Sequence, residues 1–415
     1  MTDDHLAVSR GPVRLTYGAL HARVASEHAA AVHGNLVPLR SPDPIELVVA
    51  AWAVRERGGI PAIGDGRWSD EHWVGLASSV AAAEVPEDAA WATFSSGSTG
   101  SPRVILRDAA SWSTSFPALT RLMGLTPDDV VLLPSPLVSS LSMFSIAHVL
   151  DAGATVLLPS AAAVSADELE RATLLHGTPN ALEHIRDLLE AGTPSRLRLT
   201  LIGGAHLEPA LRSRSERAGI RVLSYYGAAE LSFVAVDTDG RGLRAFDGVE
   251  LDIRDGELWV RSPYVALGYL AGETGSFRTD TDGWSTVGDR AELSDDGILS
   301  LRGRSDGAIL TAAATVVPED VEAVLRTLNG VKNSVVFGAP HPRLGALVCA
   351  VIEPEDARNP PSASSLRAAS RGRLGVAQVP RRWYLSSELP LTASGKPARA
   401  DIARAAIDER MPRLA

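Results

Sequence analysis

Short apolar runs alternate with helical segments through the first half of the chain, and this alternation limits the fold more than any other feature. A helical segment over residues 141–150 separates strands predicted at 130–134 and 155–159. Two further strands, at 197–202 and 221–224, flank a second helical segment. Because strands joined by helical crossovers pair in parallel, the pattern predicts a layered α/β domain.

Beyond residue 245 the pattern changes to that of an antiparallel sheet. Residues 249–262 contain the dipeptide Asp-Gly between two alternating apolar runs, which is a strong hairpin signal. Residues 295–304 repeat this pattern, with an acidic glycine turn followed by a strand. The sequence therefore predicts a small β-barrel-like subdomain within a large N-terminal domain that spans residues 1–305.

A second, smaller domain is predicted over residues 306–415. Residues 318–328 have the pattern of a capped amphipathic helix, and residues 334–354 contain two strand patterns around a Pro/Gly turn. The first 90 residues are rich in alanine and predict mainly helices. The predicted fold class is therefore α/β, with layered subdomains followed by a small α+β C-terminal domain.

Composition and charge exclude several classes of function. No apolar run approaches the roughly 18 residues of a membrane span, so we expect no membrane partner. The net charge of −10 argues against general nucleic-acid binding. The single cysteine, Cys349, can form neither an intrachain disulfide nor a cysteine-built zinc site. The acidic N-terminus has no apolar stretch, which predicts no secretory signal and a cytoplasmic location.

Residues 94–103, FSSGSTGSPR, are the strongest local signal for a binding site. Two glycines among hydroxyl residues directly follow a predicted strand, where exposed N–H groups and hydroxyls form an anion-binding concavity. The segment lacks the pattern GxxxxGK[ST], which excludes a P-loop kinase or GTPase. The alternative interpretation is a Ser/Gly surface loop without a ligand.

Two later motifs supply an aromatic ring, carboxylates and a guanidinium. Residues 225–230, YYGAAE, follow a predicted strand, where open α/β sheets bind ligands. An aromatic ring there could stack on a base, and Glu230 could hold Mg²⁺. Within residues 282–306, Asp289 could accept from two ribose hydroxyls, and Arg304 could donate to them or to phosphate. The alternatives are a strand-end turn and a set of β-turn acids.

The near-absence of lysine directs attention to the end of the chain. The 40 basic residues include only two lysines, Lys332 and Lys396. A surface lysine can drift to arginine at little cost, whereas a compact ammonium can enter sites that a planar guanidinium cannot. Lys396 follows a Ser-Gly turn in residues 390–399, PLTASGKPAR, and we expect it to neutralise a phosphate. The alternative is an exposed lysine in a tail.

Together, these four motifs resemble those of the adenylate-forming superfamily, which includes acyl-CoA synthetases, adenylation domains and luciferases. FSSGSTGSPR resembles the phosphate loop of that family, and YYGAAE resembles its adenine and magnesium motif. The segments GDR and GRSD resemble the ribose motif and hinge, and PLTASGKPAR resembles the catalytic-lysine motif. Residues 203–205 match the segment that flanks adenine, and the resemblance covers about residues 40–405.

The resemblance implies a two-step reaction. A carboxylate attacks the α-phosphate of ATP to give acyl-AMP and pyrophosphate, and a thiol of CoA or of a carrier-protein phosphopantetheine then displaces AMP. The C-terminal domain would be mobile and would rotate about a hinge at Asp306 between the steps. Lys396 and Glu230 would be the catalytic residues, with Glu230 also holding Mg²⁺. The implied substrate is a small-molecule carboxylic acid.

The resemblance also implies two sets of binding residues. The nucleotide-binding residues would be Ser95, Ser96, Gly97, Ser98, Thr99, Gly100, Arg103, Gly204, Ala205, Tyr225, Tyr226, Gly227, Ala228, Ala229, Asp289 and Arg304. The acid pocket would comprise Leu137, Ser140, Ser142, Met143 and Phe144. Its combination of apolar and hydroxyl side chains suits a small aryl or short acyl acid. The lack of aspartate in residues 134–145 disfavours an α-amino acid as the substrate.

Several positions depart from the family pattern. The phosphate loop lies early in the chain, as in short o-succinylbenzoate–CoA ligases, whose layout this chain resembles, so a truncated first subdomain is expected. Arg103 replaces the usual lysine, Ala229 replaces the usual threonine, and alanines at 312–314 replace glycines that line the thiol tunnel. Two alternatives therefore remain: acyl-AMP formation alone or transfer to a non-thiol nucleophile, and a nucleotide-binding pseudoenzyme.

Overall fold

The structure is a computed structural model, and it describes residues 2–27, 34–66, 68–94, 103–270, 275–304, 309–310, 315–341, 345–371, 373–374, 378–392 and 395–414. The predicted phosphate-loop residues 95–100, the predicted hinge Asp306 and residues 312–314 lie outside this part of the chain, as does the side chain of Arg304. Within the described part, five sheets and the helices around them form the fold.

The strands and helices are numbered in chain order. The strands are β1 (Leu6–Arg10), β2 (Val13–Thr16), β3 (Leu36–Leu39), β4 (Ile60–Ile63), β5 (Ala89–Phe94), β6 (Val104–Asp108), β7 (Val130–Leu132), β8 (Thr155–Leu158), β9 (Leu174–Gly177), β10 (Leu199–Ile202), β11 (Arg221–Ala228), β12 (Ser232–Asp237), β13 (Arg244–Ala245), β14 (Glu250–Arg254), β15 (Glu257–Arg261), β16 (Gly268–Tyr269), β17 (Arg278–Thr279), β18 (Ser285–Thr286), β19 (Asp289–Leu293), β20 (Leu299–Arg304), β21 (Ile309–Leu310), β22 (Thr315–Val316), β23 (Val331–His341), β24 (Gly345–Pro354) and β25 (Arg382–Leu385). The helices are α1 (Tyr17–Ser26), α2 (Pro44–Glu56), α3 (Asp70–Ala81), α4 (Ala110–Ser113), α5 (Phe116–Met123), α6 (Ser140–Asp151), α7 (Ala166–Arg171), α8 (Pro179–Glu190), α9 (Pro209–Arg217), α10 (Pro318–Leu325), α11 (Ala363–Arg371) and α12 (Arg399–Ile407).

A nine-stranded sheet forms the centre of the first half of the chain, in the order β13-β12-β11-β10-β9-β7-β8-β1-β2. The strands from β11 to β1 pair in parallel, as the alternation of strands and helices predicts. Antiparallel partners extend both edges, with β12 and β13 at one side and β2 at the other. The hairpin of β1 and β2 differs from the mainly helical character expected of the first 90 residues.

A second sheet, in the order β16-β6-β5-β4-β3, positions the segment that leads into the predicted phosphate loop. Its strands β3, β4 and β5 are parallel, whereas β6 returns antiparallel to β5 directly after that loop. Helix α2 covers β4 and begins at Asp43, whose side chain accepts from the backbone N–H of Ile45. Strand β5 is the strand that the sequence predicts directly before this loop.

The third sheet is the predicted antiparallel subdomain, with the order β17-β18-β15-β19-β20 and with β14 paired to β15. Strands β14 and β15 form the hairpin that the dipeptide Asp255-Gly256 predicts, and both turn residues have positive φ angles of 51° and 77°. Such angles are those of the tight two-residue turns that favour Asp-Gly.

The last part of the chain has its own sheet and its own buried clusters. Strands β23 and β24 are antiparallel, and β25 pairs with β24 in parallel. Two clusters of buried apolar side chains draw their members from residues 309–414, while the other clusters lie within residues 7–299. Cys349 in β24 is fully buried, and burial raises the pKa of its thiol to about 11. Among the described residues, no helix is long and apolar enough to cross a membrane.

Candidate active site

The loop that carries Lys396 lies against the carboxyl ends of the parallel strands. A Cβ placed on Gly204, in the loop after β10, would be 3.9 Å from Lys396 Cε. Asn180, in the first turn of α8, donates from Nδ2 to the carbonyl of Gly395 at 3.4 Å. The carbonyl of Lys396 accepts from the backbone N–H of Thr392 at 2.7 Å, which closes the loop into a turn. The predicted lysine and the predicted adenine-flanking segment are therefore neighbours.

Beside this loop, Tyr225 is held by a buried chain of hydrogen bonds that sequence reasoning did not find. A Cβ on Gly203 would lie 2.2 Å from the Tyr225 ring, so only glycine permits this approach. The Tyr225 hydroxyl is 3.0 Å from His176 Nε2, and His176 Nδ1 is 2.5 Å from Ser145 Oγ. Because the Ser145 hydroxyl also lies 2.7 Å from the carbonyl of Leu141, we assign the proton of the ring to Nδ1.

Burial keeps the imidazole of His176 neutral. It lowers the pKa of His176 to about 3, and it lowers the pKa of the nearby His148 to about 4. A neutral His176 with the proton on Nδ1 accepts at Nε2, so the Tyr225 hydroxyl donates inward. Both imidazoles are buried, with exposed fractions of 2% for His148 and 3% for His176.

The motif YYGAAE extends further into the sheet than predicted. Residues Tyr225–Ala228 form the end of β11 and pair with β12, whereas the prediction places the whole motif after a strand. The Tyr226 hydroxyl donates to Asp289 Oδ2 at 2.5 Å, which joins β11 to β19. Asp289 and Arg304 are cross-strand partners in β19 and β20. The predicted ribose residues therefore lie next to the predicted adenine motif.

Glu230 is a buried carboxylate with a fixed orientation. Its Oε1 accepts from the Tyr269 hydroxyl at 2.8 Å, and its backbone carbonyl accepts from the N–H of Ala266 at 2.7 Å. Burial and the charge of Glu230 raise the pKa of Tyr269 to about 12, so this phenol stays a donor. The guanidinium of Arg103 lies 5.8 Å above the Tyr269 ring, which places a cation near this carboxylate.

Arg107, in β6, is a second residue that sequence reasoning missed. Its side chain is fully buried, and two of its nitrogens donate to the carbonyl of Ala229, Nε at 3.1 Å and Nη2 at 2.5 Å. Burial lowers the pKa of Arg107 to about 10, while the charges of Glu230 and Asp108 oppose that shift, so the guanidinium stays protonated at neutral pH. Nothing in the local sequence distinguishes it from the other arginines.

The carboxylate of Glu230 fits a magnesium ion that arrives with a nucleotide. The part of the chain that the structure describes contains no group of three His, Cys, Asp or Glu side chains that could hold a metal alone. Mg²⁺ often binds through one or two carboxylates and takes its other ligands from substrate phosphates and water. A single anchored carboxylate such as that of Glu230 has this character.

The residues of the predicted acid pocket lie along the first turns of α6 and the segment before it. Four of them are buried, Leu137, Ser142, Met143 and Phe144, and Ser140 is partly exposed. The Ser142 hydroxyl donates to the carbonyl of Ser135 at 2.8 Å. Phe144 packs against a group of aromatic rings whose members are Trp112, Phe116, His148 and Phe233. Aromatic side chains therefore line the interior next to Tyr225.

The remaining predicted site residues occupy the same edge of the sheet. Ala205 follows Gly204 in the loop after β10, and Gly227 and Ala228 end β11. Arg326, at the end of α10, pairs with Glu208 at the start of α9, with 3.4 Å between Nε and Oε1. This ion pair is a further contact between the last part of the chain and the nine-stranded sheet, and it had no signal in the sequence.

Comparisons with known proteins identify the family of this chain. Residues 41–270 match the family model of the AMP-binding enzyme, and residues 320–396 match that of the AMP-binding enzyme C-terminal domain. An uncharacterized acyl–CoA ligase of Bacillus subtilis is 28% identical over 76% of this chain and 68% of its own length. A feruloyl-CoA synthase of Amycolatopsis is 28% identical over 91% of this chain and 80% of its own. A probable 2-succinylbenzoate–CoA ligase of Mycobacterium tuberculosis is 28% identical over 77% and 85%, respectively.

Solved structures share the fold over nearly the whole chain. ATP-bound MatB of Rhodopseudomonas palustris has a TM-score of 0.84 and 20% identity, covering 99% of this chain and 97% of its own. The amide bond synthetase McbA of Marinactinospora thermotolerans has a TM-score of 0.80 and 24% identity, covering 96% of both chains. These likenesses confirm the predicted fold class of a large α/β part followed by a small C-terminal part. The chain belongs to the AMP-binding enzyme family.

Proposed function

We propose that this chain is an AMP-forming acid–thiol ligase. It activates a carboxylic acid with ATP to acyl-AMP and pyrophosphate, and then transfers the acyl group to a thiol. The observation that carries the proposal is the position of Lys396 beside Gly204, at the strand ends that bear Tyr225 and Tyr226. The ammonium of Lys396 supports the proposal because it lies close to the strand ends at which we expect a nucleotide to bind.

The first step needs charge neutralisation and positioning more than proton transfer. A carboxylic acid is already ionised at neutral pH, so its attack on the α-phosphate requires no general base. Lys396 would offset the charge that gathers as two anions approach, and Asp289 would accept from the ribose hydroxyls. The ring of Tyr226 offers a face for the adenine. A magnesium ion held by Glu230 supplies further positive charge at the phosphates.

CoA is the first candidate for the thiol. The curated relatives named above are CoA ligases or synthases, which supports this acceptor. Phosphopantetheine on a carrier protein is the alternative thiol within the same proposal. We also infer a cytoplasmic location, because ATP and CoA are available there and the single cysteine is a buried thiol that needs no partner.

For the acid, we propose a small aryl or short acyl compound. The ring of Tyr225 lies 4.3 Å from that of Phe233, centroid to centroid, and Phe144 packs against Phe233 at 5.2 Å. These rings make the surroundings of the predicted pocket apolar, which favours an aromatic or short-chain acid. Relatives named for ferulate and 2-succinylbenzoate support an aryl acid.

A second candidate passes acyl-AMP to an amine or stops at that stage. A solved structure with the same fold is an amide bond synthetase, and the alanines at residues 312–314 stand where the resembled family has glycines around its thiol tunnel. Ala229, in place of the usual threonine, is the observation that keeps a nucleotide-binding pseudoenzyme as a third interpretation.

The test is a screen for pyrophosphate release with ATP, Mg²⁺ and a panel of aryl and short acyl acids. The expected result is release that depends on one group of acids, followed by a thioester of matching mass when CoA is added. Turnover that yields acyl-AMP but no thioester would favour the second candidate. Nucleotide binding without release for any acid would support the pseudoenzyme and reject the ligase.

A further inference from the structure

Arg107 is an arginine whose donors all serve the backbone or a hydroxyl. Its exposed fraction is 0%, and it lies in β6, the strand that leaves the predicted phosphate loop. Besides the two bonds to the Ala229 carbonyl, Nη1 donates to the carbonyl of Tyr264 at 2.8 Å and to Ser111 Oγ at 3.3 Å. The guanidinium therefore connects three separate segments of the chain.

The buried position of Arg107 imposes a desolvation penalty on its charged guanidinium. Transfer of a charge into a protein interior is costly unless it is paired and hydrogen-bonded. In the described part of the chain, no carboxylate oxygen lies within ion-pair distance of its guanidinium, although Glu230 and Asp108 act on it from farther away. A buried arginine without a contacting carboxylate gains little net stability over an apolar side chain of similar size.

The geometry fixes one peptide plane. The carbonyl oxygen of Ala229 belongs to the peptide unit that joins Ala229 to Glu230, and two donors of a rigid guanidinium hold it from one side. The same guanidinium holds the carbonyl of Tyr264, in the segment whose Ala266 N–H and Tyr269 hydroxyl bond to Glu230. Arg107 therefore constrains both the backbone of Glu230 and the partners of its carboxylate.

We propose that Arg107 is a positioning residue for the magnesium–nucleotide site. Its two donors to the Ala229 carbonyl set the direction of the Glu230 carboxylate relative to β6. Alanine at position 229 has no side-chain donor, so the orientation of this turn depends on its backbone. The inference rests on the proposed function, in which Glu230 holds the magnesium of ATP.

The test compares Arg107→Lys and Arg107→Met with the natural protein by calorimetric titration of ATP, once with Mg²⁺ and once with EDTA. Lysine keeps the charge but has no planar fork, so it separates positioning from charge. We expect both variants to bind Mg·ATP at least about tenfold more weakly, as expected when a hydrogen bond from a charged donor is lost. Binding of metal-free ATP to Arg107→Lys should change less than threefold.

The matched control is Arg212→Met. Arg212 is also buried, and it donates to the carbonyl of Val222 at 2.6 Å and to Asp237, at the opposite end of β11 from Glu230. Its loss should also lower the melting temperature, but should leave the ratio of the Mg·ATP and ATP affinities unchanged.

The outcomes separate the two proposals. If the natural protein binds no Mg·ATP, the proposed function fails. If it does bind, and folded Arg107→Lys binds Mg·ATP within threefold of it, the role of Arg107 is overturned. An Arg107→Lys protein that does not fold also contradicts the inference, because a positioning residue is dispensable for folding. Circular dichroism of each variant decides this point.

Discussion

Arg326 and Glu208 form an ion pair between the last part of the chain and the N-terminal end of α9, with 3.4 Å from Nε to Oε1. Both side chains are partly exposed, so the pair is weak, roughly 0–1 kcal/mol, and sensitive to salt. Together with the bond from Asn180 to Gly395, it holds the lysine loop against the nine-stranded sheet. We infer that this ion pair favours the arrangement in which Lys396 lies beside Gly204.

If the ion pair of Arg326 with Glu208 has this role, Glu208→Gln should have a modest effect that is confined to the first half-reaction. Acyl-AMP formation should slow by about two- to fivefold, because an exposed ion pair supplies no more than about 1 kcal/mol. The control is Asp247→Asn, which removes a more exposed ion pair with Arg121 elsewhere on the surface. Single-turnover rates for the two half-reactions check this prediction. Equal slowing of both half-reactions would contradict the role inferred for the ion pair.

Lys396→Ala should abolish most of the first half-reaction. Loss of a group aimed at developing charge costs roughly 100-fold or more in rate. ATP binding should change less than threefold, because the exposed lysine contributes little to the ground state. Lys332→Ala is the matched control, since the only other lysine of the chain pairs with Glu353 at 2.9 Å. Pyrophosphate exchange that survives in Lys396→Ala would show that the lysine has no catalytic role.

Stability should fall as the pH drops below about 6.5. Burial lowers the pKa of His176 to about 3 and that of His148 to about 4, so the unfolded chain binds protons before the folded protein does. Each imidazole can then cost up to about 1.4 kcal/mol per pH unit between its unfolded and folded pKa values.

Urea unfolding at pH 6.5 and pH 5.0 measures this loss, over a range in which most carboxylates stay ionised in both states. An equal free energy of unfolding at both pH values would mean that the two buried imidazoles are not held neutral.

Gly203→Ala should displace the Tyr225 ring. The added Cβ would lie 2.2 Å from that ring, and relief of such overlap typically costs about 1–3 kcal/mol. We expect a lower melting temperature and a higher Kd for ATP, because the ring adjoins the predicted adenine site. Gly75→Ala, in α3, adds a Cβ with nothing within 4 Å and should leave both quantities intact or improve stability. An unchanged Kd in Gly203→Ala would show that Tyr225 has no influence on the nucleotide.

The architecture was predictable from the sequence where apolar periodicity and turn residues determine the secondary structure. The alternation of strands and helices predicts the parallel strands from β7 to β11, and the dipeptide Asp255-Gly256 predicts the β14–β15 hairpin. The β1–β2 hairpin was missed, because alanine-rich sequence indicates helix while the pairing of β1 with β8 is a long-range event. Propensity is a weak prior when such contacts supply the free energy.

The candidate site was predictable only at its motifs. Glu230, Asp289 and Lys396 stand in recognisable local sequence, so reasoning from residue types found them. Arg107 and His176 did not stand out, because their importance lies in partners that are distant along the chain. In the sequence alone, a buried arginine cannot be distinguished from an exposed one, because the carbonyl that it binds is distant along the chain. The roles assigned to all of these residues stay predictions until the experiments above are done.

The burial of Cys349 has a practical consequence for measuring the second half-reaction. A thiol with so high a pKa and no solvent contact reacts very slowly with disulfide and maleimide reagents. Because the chain has no other cysteine, the native protein contributes no background in a colorimetric titration of sulfhydryls. The disappearance of free CoA can therefore be followed directly in the reaction mixture, even at enzyme concentrations close to those of the substrate.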